Sequence, residues 1–168
     1  MRKKIIVRRY EAPCGGLVLG AYGDNLCLCD WESARRGHVR DRLLRLLDVE
    51  FVTGSSEVLD KAAAQLDEYF AGQRRTFDIP LLFVGTVFQK TVWNELLKIP
   101  YGETISYGEM AKRIGKPDAV RALASANGTN SISIFAPCHR VIGSDGSLTG
   151  YAGGLKAKEY LLKLEKAI

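Results

Sequence analysis

The sequence predicts a two-part fold: an N-terminal α/β domain made of a small antiparallel sheet with helices, then a mostly α C-terminal domain with a winged-helix-like helix-turn-helix. Three observations predict it. Short apolar runs broken by Gly, Pro and Asn fill the start of the chain, and apolar residues at helical spacing take over near residue 84. Farther on, two short helical stretches are split by a tight Gly115-Lys116-Pro117 turn. The division is placed at residues 1–84 and 85–168.

In order along the chain, IIVRRY (5–10), GLVLGAY (16–22) and NLCLCDW (25–31) read as three strands of a hairpin-like meander. A helix follows over 40–49, where Leu43, Leu44, Leu46 and Leu47 bunch together, and another over 56–70 after a Ser56 cap. FDIPLLFV (77–84) reads as a strand or extended linker. Residues 88–99 place Phe88, Val92, Trp93, Leu96 and Leu97 on one helical face, and Pro100 with Gly102 ends that helix. Helices over 107–115 and, opened by Pro117, 118–127 form the helix-turn-helix. The dry run SISIFAP (131–137) leads into Cys138-His139-Arg140-Val141, and a last helix covers 154–167.

Bulk properties narrow the partners. With 24 Lys and Arg against 19 Asp and Glu, a net charge of +5 favours a polyanion. Only a three-residue apolar run precedes Arg8 and Arg9, so the start is not a secretory signal, and no stretch is long enough for a membrane span. A cytoplasmic protein with no membrane partner is expected. Its four cysteines then read as free thiols, ligands or a nucleophile rather than a disulfide framework. Cys27 and Cys29, one residue apart and alternating along an expected strand, fit zinc spacing poorly; with Cys14 and His38 they are expected to hold no metal.

The chemistry concentrates at Pro137-Cys138-His139-Arg140-Val141, just after a buried apolar segment able to hold a reactive side chain. A thiol is mostly protonated at neutral pH, whereas the attacking species is the thiolate, so a neighbouring His held by a carboxylate is the base such a site needs. A Cys-His pair by itself is equally the mark of a core cysteine beside a surface His.

GTVFQKTVWNELLKIPYGETISYGEMA (85–111), IGKPDAVRALASAN (114–127), PCHRVIGSDGSLTGY (137–151) and GGLKAKEYLL (153–162) stand in unbroken order. Over Gly85 to Glu165 the chain resembles the O6-alkylguanine-DNA alkyltransferase family; before residue 84 it matches only in general character. The resemblance implies direct DNA repair, in which the alkyl group of O6-alkylguanine, and possibly of O4-alkylthymine, moves irreversibly to Cys138 after base flipping, once per molecule and without a cofactor. It implies that His139 is the base acting through a bound water, that Glu165 orients it, and that Asn130 ties the helix-turn-helix to the active-site loop. Tyr107 would steer phosphate and donate a proton, and Arg121 would fill the place of the extruded base. Ala122, Ala126 and Gly128, with other small residues of the second helix, would approach the minor groove with little sequence preference. Val141, Tyr151, Ala152 and Met110 would wall the base pocket, Ala152 standing where many relatives carry a hydroxyl or larger polar residue. The partner implied is double-stranded DNA carrying O6-alkylguanine, bound by a monomer.

Two rival readings remain. Non-catalytic relatives that only flag damage commonly replace the acceptor with tryptophan, whereas this chain keeps Cys138. A transcription regulator would offer base-reading side chains on its second helix, where this chain has mainly Ala, Val and Leu.

Overall fold

The computed structural model describes residues 3–33 and 35–168. Strands β1 (Lys3–Ala12), β2 (Gly15–Tyr22) and β3 (Asn25–Trp31) form the expected meander. The register of β2 and β3 shifts between Gly20 and Ala21, pairing Gly20 with Leu28 and Ala21 with Leu26, so that Cys27 is the extra residue of a bulge. That bulge sends Leu26 and Cys29 to one apolar core and Cys27 and Leu28 to another, so both faces of the sheet are covered.

The sheet is mixed rather than purely antiparallel. Helix α1 (Gly37–Leu47) stops at Asp48, whose φ of 48° breaks the helical path, and Val49–Thr53 then forms β4, parallel to β1 and giving the order β3-β2-β1-β4. The reading from sequence extended this helix through Val49 and missed the strand, because one residue separates two apolar runs of similar composition. Helix α2 (Glu57–Phe70) starts where expected, with Ser56 Oγ accepting the amide of Leu59 at 3.4 Å. Residues 77–84 are extended along the edge of β3: Leu26 N donates to Pro80 O at 2.8 Å and Leu82 N to Leu26 O at 2.9 Å.

The second half is helical. Helix α3 (Val87–Leu96) opens on a Thr86–Gln89 capping box and buries Val92, Trp93 and Leu96. Leu97, expected on that face, lies beyond the helix and is 45% exposed. Strand β5 (Ile105–Ser106) leads into α4 (Tyr107–Arg113), and α5 spans Val120–Gly128. Pro117 opens a turn rather than the helix: Ala119 N bonds Lys116 O at 2.9 Å, which places proline second in a four-residue turn and delays α5 to Val120. A 3₁₀ turn, Cys138–Arg140, precedes β6 (Val141–Ile142), which pairs parallel with β5, and α6 (Leu155–Leu164) closes the fold.

The segment 131–137 ties the halves together. Cys29 N donates to Ser131 O and Ser133 N to Cys29 O, both at 2.8 Å, so the sheet continues past β3 into the run before Cys138. One apolar core accordingly contains Leu17, Leu19, Leu59 and Leu66 from the first half with Ile132, Ile134, Phe135 and Leu161 from the second. Trp93 anchors another core beneath α5, fully buried with its indole N–H on Ala126 O at 2.8 Å; truncating it to alanine would cost about 3–5 kcal/mol. Among the described residues no helix is long and apolar enough to cross a membrane.

Candidate active site

Cys138 begins the 3₁₀ turn with its side chain almost wholly buried, and its accessible edge faces a cavity of about 490 Å³. Tyr107 from α4, Arg121, Ala124, Asn127 and Gly128 from α5, and Tyr151 and Ala152 from the loop before α6 complete the walls.

Behind Cys138, His139 is fully buried with Nε2 2.7 Å from Glu165 Oε2. Glu165 receives four further donors: the Tyr69 hydroxyl on Oε2 at 2.5 Å, Arg140 Nε on Oε1 at 2.8 Å, Arg140 Nη2 on Oε2 at 3.1 Å and Gly102 N on Oε1 at 3.5 Å. Burial alone would raise this carboxyl, but the bonds and charges of His139 and Arg140 outweigh it and hold the group at about 2. Burial lowers the basicity of His139 against the pull of Glu165. With an ionised carboxylate on Nε2, the network assigns the imidazole proton to Nε2 and leaves Nδ1 a bare acceptor. Nδ1 is buried and, among the described residues, has no hydrogen-bond partner, which leaves it able to accept a proton.

Burial raises the Cys138 thiol above its ordinary value, opposed by hydrogen bonding from Asn130 and Ser133 and by the charges of Lys158 and Arg36. Lys158 is fully buried, donates to Val141 O at 2.7 Å and Thr149 O at 2.9 Å, and is brought by burial to about 8. Asn130 brackets the turn before the cysteine, donating to Ile132 O at 3.4 Å and Ala136 O at 3.0 Å while accepting from Ile132 N at 3.0 Å.

The sequence and fold find close relatives. Residues 5–83 match the ribonuclease-like domain of 6-O-methylguanine DNA methyltransferase, and residues 87–167 match its DNA binding domain. The chain belongs to the 6-O-methylguanine DNA methyltransferase family. A methylated-DNA–protein-cysteine methyltransferase of Methanosarcina acetivorans is 58% identical over 157 residues, covering 93% of this chain and 95% of the relative. That of Mycobacterium leprae is 44% identical, covering 95% and 91%. The crystal structure of the Mycobacterium tuberculosis O6-methylguanine methyltransferase superposes with a TM-score of 0.81 at 42% identity, over 97% of this chain and 93% of that one. A M. tuberculosis OGT solved in complex with DNA gives 0.82 at 44%, covering 96% and 93%.

In this methyltransferase-family chain, the residues singled out from sequence gather at one place, with three exceptions. Met110 and Val141 lie behind the cavity wall, both fully buried in the apolar cluster that contains Cys138. Ala126 faces inward, its carbonyl taken by Trp93, whereas Arg121, Ala122, Ala124, Ser125 and Gly128 are exposed along α5. Reading small residues as one face overlooked that a helix of nine residues must bury a side of its own. Of the residues considered for metal, Cys27 and Cys29 are buried on opposite faces of the sheet, while His38 is exposed with Nδ1 3.1 Å from Arg35 O.

Five contributors were not singled out from sequence. Arg140 sits inside the quoted motif, and its pairing with Glu165 signals itself only once 25 residues of chain are folded. Tyr69 and Arg36 reach the site from the first half. Arg36 holds Asp30 through Nε at 3.1 Å and donates to Gly128 O at 2.7 Å and Asn130 O at 3.2 Å, capping the end of α5. Lys158 lies among the other charges of α6 and Ser133 within an apolar run, so neither stands out locally. Trp31, buried at the end of β3, packs edge-on against Tyr151 with ring centroids 5.9 Å apart.

Proposed function

We propose that this protein repairs DNA directly, by transferring the alkyl group of an extruded O6-alkylguanine to Cys138 Sγ. The observation that carries the reading is a cavity whose wall exposes one thiol backed by a buried His139–Glu165 pair with a free Nδ1. His139 takes the thiol proton through a bound water. The sulfur pair attacks the alkyl carbon, the carbon–O6 bond breaks, and the guanine left behind takes a proton from Tyr107. All atoms balance without a co-reactant, and no thiol reverses a thioether, so each molecule acts once.

DNA is the partner, held through its minor groove by α5 with little preference for sequence. Support comes from the exposed small residues of that helix, which allow close approach and offer few groups to read base edges. Arg121, exposed at the cavity mouth, fills the stack vacated by the flipped nucleotide. Residues 85–168 bind DNA and accept the alkyl group, and residues 1–84 hold them in shape. The protein works as a cytoplasmic monomer.

The test is incubation with a duplex containing one radiolabelled O6-methylguanine, followed by digestion and peptide mapping. Label on the Cys138 peptide, saturating at one per chain, is expected. Tight binding with no label transferred would instead mean a protein that recognises damage without removing it.

A further inference from the structure

A second cavity, of about 540 Å³ and larger than the base cavity, lies between the two halves and shares no wall residue with the first. Pro137 and Arg140 line it whereas Cys138 lines the other, so the Cys138–Arg140 turn stands between the two. Its roof follows from the extended segment 77–83, which bonds the edge of β3 at Leu26 and alternates its side chains. Phe77, Ile79, Leu81 and Phe83 face the cavity, whereas Leu82 and Val84 join the core on the other face of the sheet. Leu97, 45% exposed beyond the end of α3, stands at the mouth. Apolar side chains gathered around a concavity within the roughly 300–1,000 Å³ of small-molecule sites favour a ligand with a hydrocarbon body.

The charges in the wall are of one sign. Arg75 and Arg140 line the cavity, and no Asp or Glu does. Their guanidinium carbons lie 5.3 and 5.8 Å from the centroid of the Tyr101 ring, which gathers both at one end. Arg140 is already matched by Glu165, which it meets through Nε and Nη2, and its Nη1 donates to Ile99 O at 2.6 Å. Three of its N–H groups are thereby used and the rest remain as donors. Arg75 makes no hydrogen bond or ion pair among the described residues, so its charge is uncompensated. One unmatched cation beside apolar walls suits a single negative charge; an amine would be repelled, and a polyphosphate would lack partners.

We propose that this cavity binds a monocarboxylate with a hydrocarbon tail. The carboxylate meets Arg75 and the remaining N–H groups of Arg140 at the Tyr101 end, where a guanidinium fixes it through paired bonds. The tail lies against Phe77, Leu81, Phe83 and Phe135 and takes their surface out of water. Neither Arg75 nor Leu97 reaches the base cavity, so the two sites can be tested apart.

The full-length protein would be titrated calorimetrically with decanoate, acetate and decylammonium, each below its micelle-forming concentration, and melted with and without decanoate. Decanoate should bind at one per chain. Acetate, which lacks the tail, and decylammonium, which carries the opposite charge, should each bind at least about tenfold more weakly. Arg75→Met keeps an apolar stem and removes the charge, and should weaken decanoate about tenfold. Leu97→Trp fills the mouth and should abolish binding. Both positions are exposed, so both variants should melt with the parent, and decanoate should raise the melting temperature of the parent but not of Leu97→Trp. Absence of decanoate binding, decylammonium binding as tightly as decanoate, equal decanoate affinity in the parent and both variants, or uptake of several decanoates per chain without saturation at one would each overturn the proposal.

Discussion

The hydroxyl of Tyr69, near the end of α2, donates to Glu165 Oε2 at 2.5 Å, on the same oxygen that meets His139, across 96 positions of sequence. The first half of the chain thus supplies a donor to the carboxylate that holds His139. Burial raises the Tyr69 hydroxyl well beyond the ordinary phenol range, with the Glu165 charge adding to it, so the group stays a donor at every working pH.

Tyr69→Phe should keep the fold, because the ring stays packed against Phe70, Phe77 and Tyr101. Losing a hydrogen bond to a buried charge should destabilise the protein by about 1.5–3 kcal/mol in denaturant titration. The transfer rate should drop several-fold, because Glu165 would then hold His139 with one donor fewer. If stability and single-turnover rate both matched the parent, the link between α2 and the site would have no energetic content.

Glu165→Gln tests the carboxylate itself. It would strand Arg140, whose guanidinium is 7% exposed and bonds both Glu165 oxygens. An uncompensated buried charge costs about 3–5 kcal/mol, and loss of the group that orients the base about 100-fold in rate. Combining it with Arg140→Met should recover most of the stability and none of the rate. Recovery of transfer in the double variant would show that Glu165 balances charge and does nothing for His139.

The motif from Pro137 to Val141 brought out Cys138 and His139 because the two are contiguous in sequence, and the helices announced themselves by period and, for α2, by the Ser56 cap. What stayed hidden depends on separation. Tyr69, Arg36 and Lys158 act through bonds spanning 96, 92 and 17 positions, and nothing local to any of them differs from a surface residue of its type. Strand β4 was hidden for the opposite reason: Asp48 alone marks the end of α1, and a single residue in the left-handed region leaves little trace in an apolar pattern.

Stability should fall steeply in acid. The folded-state carboxyl of Glu165, at about 2 against an ordinary 4.5, contributes stability that is complete above about pH 4.5 and lost as pH drops toward 2, on the order of 3 kcal/mol. His139, whose basicity burial lowers below 6.5, acts in the same sense, since the unfolded chain gains its proton first. Lys158, held at about 8 against 10.5, adds stability as pH rises through that window. Urea midpoints measured across pH should show both limbs, and Glu165→Gln should flatten the acid one alone. An acid limb unchanged in that variant would assign the loss to other carboxylates.

The contact between Trp31 and the loop before α6 predicts a compensating pair. A Cβ added at Gly153 would stand 2.5–2.6 Å from carbons of the indole, closer than any real contact, so either the ring or the loop must move. The loop carries Tyr151 and Ala152, which wall the cavity, and Trp31 is 3% exposed in a dense core with little room to yield. Gly153→Ala should therefore cost about 1–3 kcal/mol by overpacking and slow transfer by displacing the wall. Trp31→Leu alone opens space and loosens the loop. The two together should interact favourably, the double variant being more stable and faster than the sum of the single effects allows, by a coupling of about 0.5–3 kcal/mol. Strict additivity in melting and in transfer rate would mean that the loop adapts to Gly153→Ala without involving Trp31, and that the first half does not set the shape of the base pocket.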